Sequence, residues 1–154
     1  MKPTLVAMAR PVPTLEFERE LFTTGARIVA GMDEVGRGAL AGPVTVGVVA
    51  IDASVGVVPE GLADSKLMTI KRREAMVPVA QAWGIAWATG SATAAEIDKY
   101  GIMSALGLAG SRALAALGVV PDVIILDGNN SFLMEEDNGP RVITRVKADQ
   151  NCAC

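Results

Sequence analysis

Histidine is absent from the 154-residue chain. That excludes Ser-His and Cys-His nucleophilic pairs and every metal site that needs imidazole. Hydrolytic chemistry must then rest on carboxylates, lysine, hydroxyls or a cation held by oxygen, and oxygen-only ligation suits Mg²⁺ or Mn²⁺. Cysteine is scarce: Cys152 and Cys154 form a C-x-C at the chain end. Two thiols cannot close a zinc site, and positions this close on a strand make a poor disulfide, so both read as reduced thiols. Aromatic residues make up 4% of the chain, which leaves the core to Val, Ile, Leu, Ala and Met.

Long apolar runs are missing too. The stretch from Ile102 to Val120 is broken by Ser104, Ser111 and Arg112, short of a convincing membrane span. The first residues lack the apolar middle and small-residue cleavage site of a signal peptide, so the expectation is a cytoplasmic protein. A basic surplus is also absent, because the formal net charge is −3. That balance does not advertise a nucleic-acid binder, although a carboxylate site inverts its local charge once a cation is bound.

What is present is one domain's length of chain with 51% hydrophobic and 20% charged residues, enough for a sizeable core. Thr14 precedes LEFERELF, a short helix with Glu16 and Glu18 in its first turn and Gly25 after its end. ARIVAGMDE and PVTVGVVAID read as two strands joined by a Gly/Pro-rich link. TIKRREAMVPVAQA reads as a helix capped by Thr69 and ended or kinked by Pro78. WGIAWATGSA is a further strand, on which Trp83 and Trp87 would share a face and pack in the core. Thr93 and Glu96 form a capping box for TAAEIDKY. Gly101 interrupts, IMSALGLAGSRALAAL continues at helical period, and Gly118 and Pro121 mark its stop. DVIILDG is a short, almost wholly apolar strand of the central kind, and RVITRVKAD is a last strand. The order predicts an α/β domain with a mixed sheet.

Four carboxylates lie at or near predicted strand ends: Asp33 and Glu34 in RIVAGMDE, Asp127 in VIILDG and Asp149 in VITRVKAD. Crevices outside strand ends bind ligands in open α/β sheets, and converging carboxylates suit hard cations. Two cations ~3.5–4 Å apart can activate a water and stabilise the leaving oxygen of a phosphodiester. The bland alternative is that each acid simply faces water. Consecutive strand residues also point to opposite faces, so Asp33 and Glu34 share a cation only if the strand ends, twists or bulges near Gly36, Gly38 and Gly42. GRGALAG lacks the following helix that a dinucleotide fingerprint needs. It reads either as a glycine turn whose amides approach a phosphate or hydroxyl, with Arg37 as a fork, or as a tight β-β turn with a solvated arginine. In ADSKLMTIKRRE, Lys66, Lys71, Arg72 and Arg73 gather positive charge at a helix start and Ser65 adds a hydroxyl. Cations favour the other helix end, which hints at a separate role for Lys66, while Lys71, Arg72 and Arg73 read as a solvated basic face.

Taken in order, AGMDEVGRGALAGPV, LADSKLMTIKRRE, AEIDKYGI, ILDGN and VKADQ resemble the bacterial ribonuclease HII family, from about residue 15 to the chain end. The resemblance implies a ribonuclease-H-like fold, with residues 1–154 as one catalytic domain. It implies an endoribonuclease that cleaves the RNA strand of RNA-DNA hybrids and incises at ribonucleotides embedded in duplex DNA. It further implies Mg²⁺ or Mn²⁺ bound by Asp33, Glu34, Asp127 and Asp149. Gly36, Arg37 and Gly38 match the turn that reads the ribose 2′-hydroxyl, the group that tells RNA from DNA, and Ser65 and Lys66 match a segment near the substrate backbone. The expected working unit is a monomer with nucleic acid as its partner.

The chain departs from the family in two ways. Family members usually continue into further helices carrying a tyrosine that stacks at the RNA-DNA junction, whereas the only tyrosine here is Tyr100, in EIDKYGI. Leu67 and Met68 also stand where a polar residue and leucine are commoner. The expectation is therefore a catalytic domain short at its C-terminal end. The alternative is an inactive or binding-only fragment whose site needs those helices, and an unrelated metal-dependent phosphohydrolase is a third reading.

Overall fold

The structure is a computed structural model that describes residues 12–129, 131–133 and 137–154, with Asp149 described by its backbone alone. Five strands form one mixed sheet: β1 (Ile28–Val35), β2 (Val44–Asp52), β3 (Ala86–Ala92), β4 (Val123–Asp127) and β5 (Arg141–Arg145), in spatial order β3-β2-β1-β4-β5. β1, β2 and β3 pair antiparallel, and β4 and β5 add on in parallel to β1. The helices are α1 (Glu16–Thr23), α2 (Ile70–Trp83), α3 (Ala94–Tyr100), α4 (Ile102–Ala116) and the short α5 (Ala148–Asn151), with a 3-10 turn at Ser65–Leu67.

Strand alternation sends Ala30, Met32, Val46, Val48, Ile124 and Leu126 to one face, where they pack against Ala105, Leu106, Ala109 and Ala113 of α4. α4 is rich in small residues, and Gly90 of β3 lies directly under the α4 backbone at Ala109 and Ala113, where no Cβ would fit. The opposite face carries Val29, Ile51, Val123 and Ile125 against Leu15 and Leu21 of the α1 region and against Ala148, Cys152 and Ala153. The capping box forms as the sequence predicts: Thr93 Oγ1 accepts from the Glu96 amide, and Glu96 Oε2 accepts from the Thr93 amide at 2.8 Å.

Four local expectations are corrected. Pro78 lies inside α2 and does not end it. The helix surface there is exposed, so water can satisfy the carbonyl that loses its amide partner. Trp83 closes α2 and donates its indole N–H to the Val57 carbonyl (3.0 Å), whereas Trp87 stands on β3, partly exposed, so the pair shares no strand face. Thr14 does not cap α1; it bridges to Cys152, and its amide donates to the Asn151 carbonyl at 3.2 Å. The last strand stops at Arg145, and Asp149 falls in α5.

Candidate functional site

The ladder between β1 and β2 is unbroken from Ile28↔Asp52 to Val35↔Thr45. There is no bulge at Asp33 or Glu34, so alternation holds and the two acids point to opposite faces. Asp33 falls on the face of Val29 and Gly31, and Asp127 on the face of Val123 and Ile125. The parallel register aligns Met32 with Leu126, so Asp33 and Asp127 lie side by side on neighbouring strands. Glu34 turns away and pairs with Arg37 (Oε1 to Nη1, 3.3 Å), whose other terminal nitrogen reaches Met103 Sδ at 3.8 Å.

Asp33 is electrostatically loaded. Partial burial of its carboxylate is the main cause that pushes its pKa up to about 6, and the negative charges of Glu34 and Asp127 add to it. The Glu34 amide, donating to Asp33 Oδ1 at 2.8 Å, and the charge of Lys66 act in the other direction. Lys66 is set by the 3-10 turn, which Asp64 caps by accepting its amide at 2.9 Å from a largely buried position. Ser65 is exposed on the same turn. Asp127 is oriented from α5: its Oδ1 accepts the Ala148 amide at 2.7 Å.

The donor chemistry fits a hard cation. Oxygen donors are gathered where mutual repulsion already raises Asp33, and a divalent ion would relieve it. Asp33 and Asp127 share the open face; Glu34 would have to leave Arg37 to join them. Asp149, the fourth predicted ligand, has its backbone in α5, and its side chain lies outside the described residues. Among the described residues, no three acidic or thiol side chains are close enough together to hold a metal ion.

The glycine loop between β1 and β2 has a steric reason for its composition. Gly36 has φ +91°, and a Cβ there would meet the Pro43 carbonyl oxygen at 2.5 Å. Gly38 stands in open space. Arg37 and Gly36 line a hollow of about 490 Å³ with Leu40, Gly42, Ile97 and Ile102. A second hollow, about 360 Å³, lies between α2 and the face of β2 and β3 that bears Val49, Trp87 and Thr89, and it runs to Asp33, Asp127 and Cys154. The predicted residues thus divide: Asp33, Asp127 and Lys66 act on one place, while Glu34 and Arg37 meet at the edge toward α4. Cys152 and Cys154 are free thiols. Burial, with help from the charge of Glu18, pushes Cys152 up to about 11 and Cys154 well above its ordinary range.

Reading the sequence missed two residues. Asp64 is a buried cap. Glu18, expected only as one of two acids in the first turn of a helix, is fully buried. Its spacing carried the signal, because Leu15, Glu18 and Leu21 fall three apart and so share one helix face.

Solved structures of known proteins share this fold. A ribonuclease H2 from Pyrococcus horikoshii OT3 superposes with a TM-score of 0.64 at 29% identity, over 80% of this chain and 64% of that one. A ribonuclease HIII, Bst-RNase HIII, solved in complex with Mn²⁺, superposes with a TM-score of 0.56 at 21% identity, over 80% of this chain and 46% of that one. The fold is therefore that of the ribonuclease H class. The sequence profile described as Ribonuclease HII matches residues 30–154. A ribonuclease HII from Streptomyces griseus is 51% identical over 142 residues, which is 91% of this chain and 58% of that relative. One from Prochlorococcus marinus is 39% identical over 155 residues, 99% of this chain and 68% of that relative. The chain belongs to the ribonuclease HII family, and it spans about 58% of the length of the Streptomyces relatives it matches.

Proposed function

We propose that this chain carries the catalytic core of a metal-dependent endoribonuclease. It cleaves the RNA strand of RNA-DNA hybrids and incises at ribonucleotides embedded in duplex DNA. The observation that carries this reading is the side-by-side placement of Asp33 and Asp127 on one sheet face, with Asp33 raised by burial and by its acidic neighbours. Asp33 and Asp127 would hold the first Mg²⁺ or Mn²⁺, with Glu34 and Asp149 completing a two-metal set. When bound, such ions lower the pKa of an attacking water and offset charge on the departing 3′-oxygen.

The chain's own residues supply the rest. The Ala148 amide keeps Asp127 oriented, and the Glu34 amide does the same for Asp33. Lys66 brings positive charge beside Asp33, where a substrate phosphate would lie. Gly36, Arg37 and Gly38 offer backbone and a guanidinium to the ribose 2′-hydroxyl, with Ser65 near the strand backbone. Products would carry a 3′-hydroxyl and a 5′-phosphate. The protein would act as a cytoplasmic monomer; among the described residues, no helix is long and apolar enough to cross a membrane.

A second reading is favoured by the separation of Glu34 from Asp33 and Asp127, and by α2, which buries none of its residues fully. In it, this chain binds nucleic acid but lacks a closed site until further helices cover the open face. One experiment divides the two. Duplex DNA bearing a single ribonucleotide is incubated with the chain and Mn²⁺, with and without chelator, and with Asp33→Asn. Chelator-sensitive incision that Asp33→Asn abolishes supports the enzyme. Substrate binding with a cooperative melt but no incision supports the second reading. Full activity of Asp33→Asn overturns the assignment of Asp33.

A further inference from the structure

Glu18 is fully buried on α1. Its Oε1 accepts the backbone amides of Ala153 (2.6 Å) and Cys154 (3.0 Å), and its buried Oε2 has no hydrogen-bond partner. Burying a carboxylate with half its capacity unmet is unfavourable, and an apolar side chain would fill the volume without that penalty. What the carboxylate adds is a grip on backbone more than 130 residues away in sequence.

The gripped segment is tied to the site. The Cys152 amide donates to the Ala148 carbonyl at 2.8 Å, and Thr14, just before α1, holds Asn151. Chain entry to α5 runs through Lys147 in the left-handed region at φ +60°. A non-glycine residue stays there only where its surroundings over-determine it. The next residue, Ala148, donates its amide to Asp127 Oδ1. The contacts therefore run without a gap from Glu18 through Ala153 and Cys154 to the α5 turn and on to Asp127.

We propose that Glu18 is a positioning residue for the cation site: by clamping Ala153 and Cys154 it holds the α5 turn that orients Asp127 and places the backbone of Asp149. The claim that this matters for metal rests on the reading of Asp127 as a ligand. The claim of positioning does not.

The test uses the full chain and its Glu18→Ala, Glu18→Gln and Glu18→Asp variants. Amide hydrogen exchange at Ala148 reports the bond to Asp127, exchange at Ile124 reports global opening, and Mn²⁺ titration by electron paramagnetic resonance reports the site. Glu18→Ala is expected to speed exchange at Ala148 with Ile124 unchanged, and to weaken Mn²⁺ binding about tenfold, the scale of losing an outer support of a metal ligand. Glu18→Gln keeps an oxygen that accepts both amides, so it should stay within about threefold of the parent in Mn²⁺ affinity. If Glu18→Ala does not fold, Glu18→Asp, one methylene shorter, should show the same local loss. Equal acceleration at Ala148 and Ile124, with unchanged Mn²⁺ affinity, overturns the proposal and leaves Glu18 a purely structural residue. A Glu18→Gln variant as impaired as Glu18→Ala also overturns it. Should the parent bind Mn²⁺ no better than an Asp33→Asn control, the metal reading fails, and exchange at Ala148 still decides the positioning claim.

Discussion

On the face of the sheet covered by α4, Ala30, Val46, Ile124 and Leu126 are wholly buried, and the helix comes close enough to rest on a glycine. On the other face, Val29, Ile51 and Ile125 are buried just as fully beside α1 and α5, but under α2 the packing gives way to a hollow flanked by two carboxylates. Val77 on α2 is 52% exposed while Leu106 on α4 is 0% exposed. The difference separates two jobs. The face under α4 packs apolar side chains throughout its middle, with Glu34 left at its edge beside Arg37, and is there to be stable. The other keeps charge at the edge of apolar surface, where a low local dielectric strengthens any interaction with a cation.

The contrast can be broken from the stable side first. Leu106→Ala empties a fully packed position and should cost about 2–5 kcal/mol, read as a lower midpoint in urea or thermal melts. pH sharpens it from the other side. Asp33 sits at about 6, above its ordinary 3.8, so the folded metal-free protein holds a proton that the unfolded chain has released. Stability without metal should therefore fall as pH rises from about 4 to about 6, and Asp33→Asn should remove that slope. Cation binding has the opposite dependence, because the ligand must be deprotonated. Mn²⁺ affinity should weaken by roughly tenfold per unit once pH drops below about 6, measured by titration at constant ionic strength. Away from both faces, Thr93→Ala removes the capping hydroxyl of α3 and should cost about 1 kcal/mol. The smallest effect is expected on α2, where Val77→Ala should stay within about 0.5 kcal/mol in the same melts. A large loss at Val77 would mean that the open face is not open in solution.

Much of this was readable in advance because the signals were local. The spacing of Thr93 and Glu96 is a capping box wherever it falls before a helix, and it forms. The β-branched run of β2 and the apolar run of β4 appear as strands within a residue or two of expectation. Expectations gave way where the surroundings, solvent or a remote segment, decided. Pro78 is tolerated because α2 faces water. Thr14 gives up its cap to bridge to the far end of the chain. Asp33 and Glu34 were expected to share a cation only through a break or bulge in the strand, and the ladder there runs unbroken, with the two acids on opposite faces. Asp149 was set on a strand that ends before Val146.

Composition by itself excluded histidine chemistry and left oxygen-bound cations as the route to hydrolysis, because the available functional groups are a property of the residues alone. The ordered motifs identified the family for the same reason. Tertiary structure decided which acids face one another, that Glu18 turns inward to hold the last residues, and that Asp127 takes its orientation from Ala148. Those outcomes depend on strand register and on contacts between segments far apart in sequence, and such distances come into being only when the sheet closes.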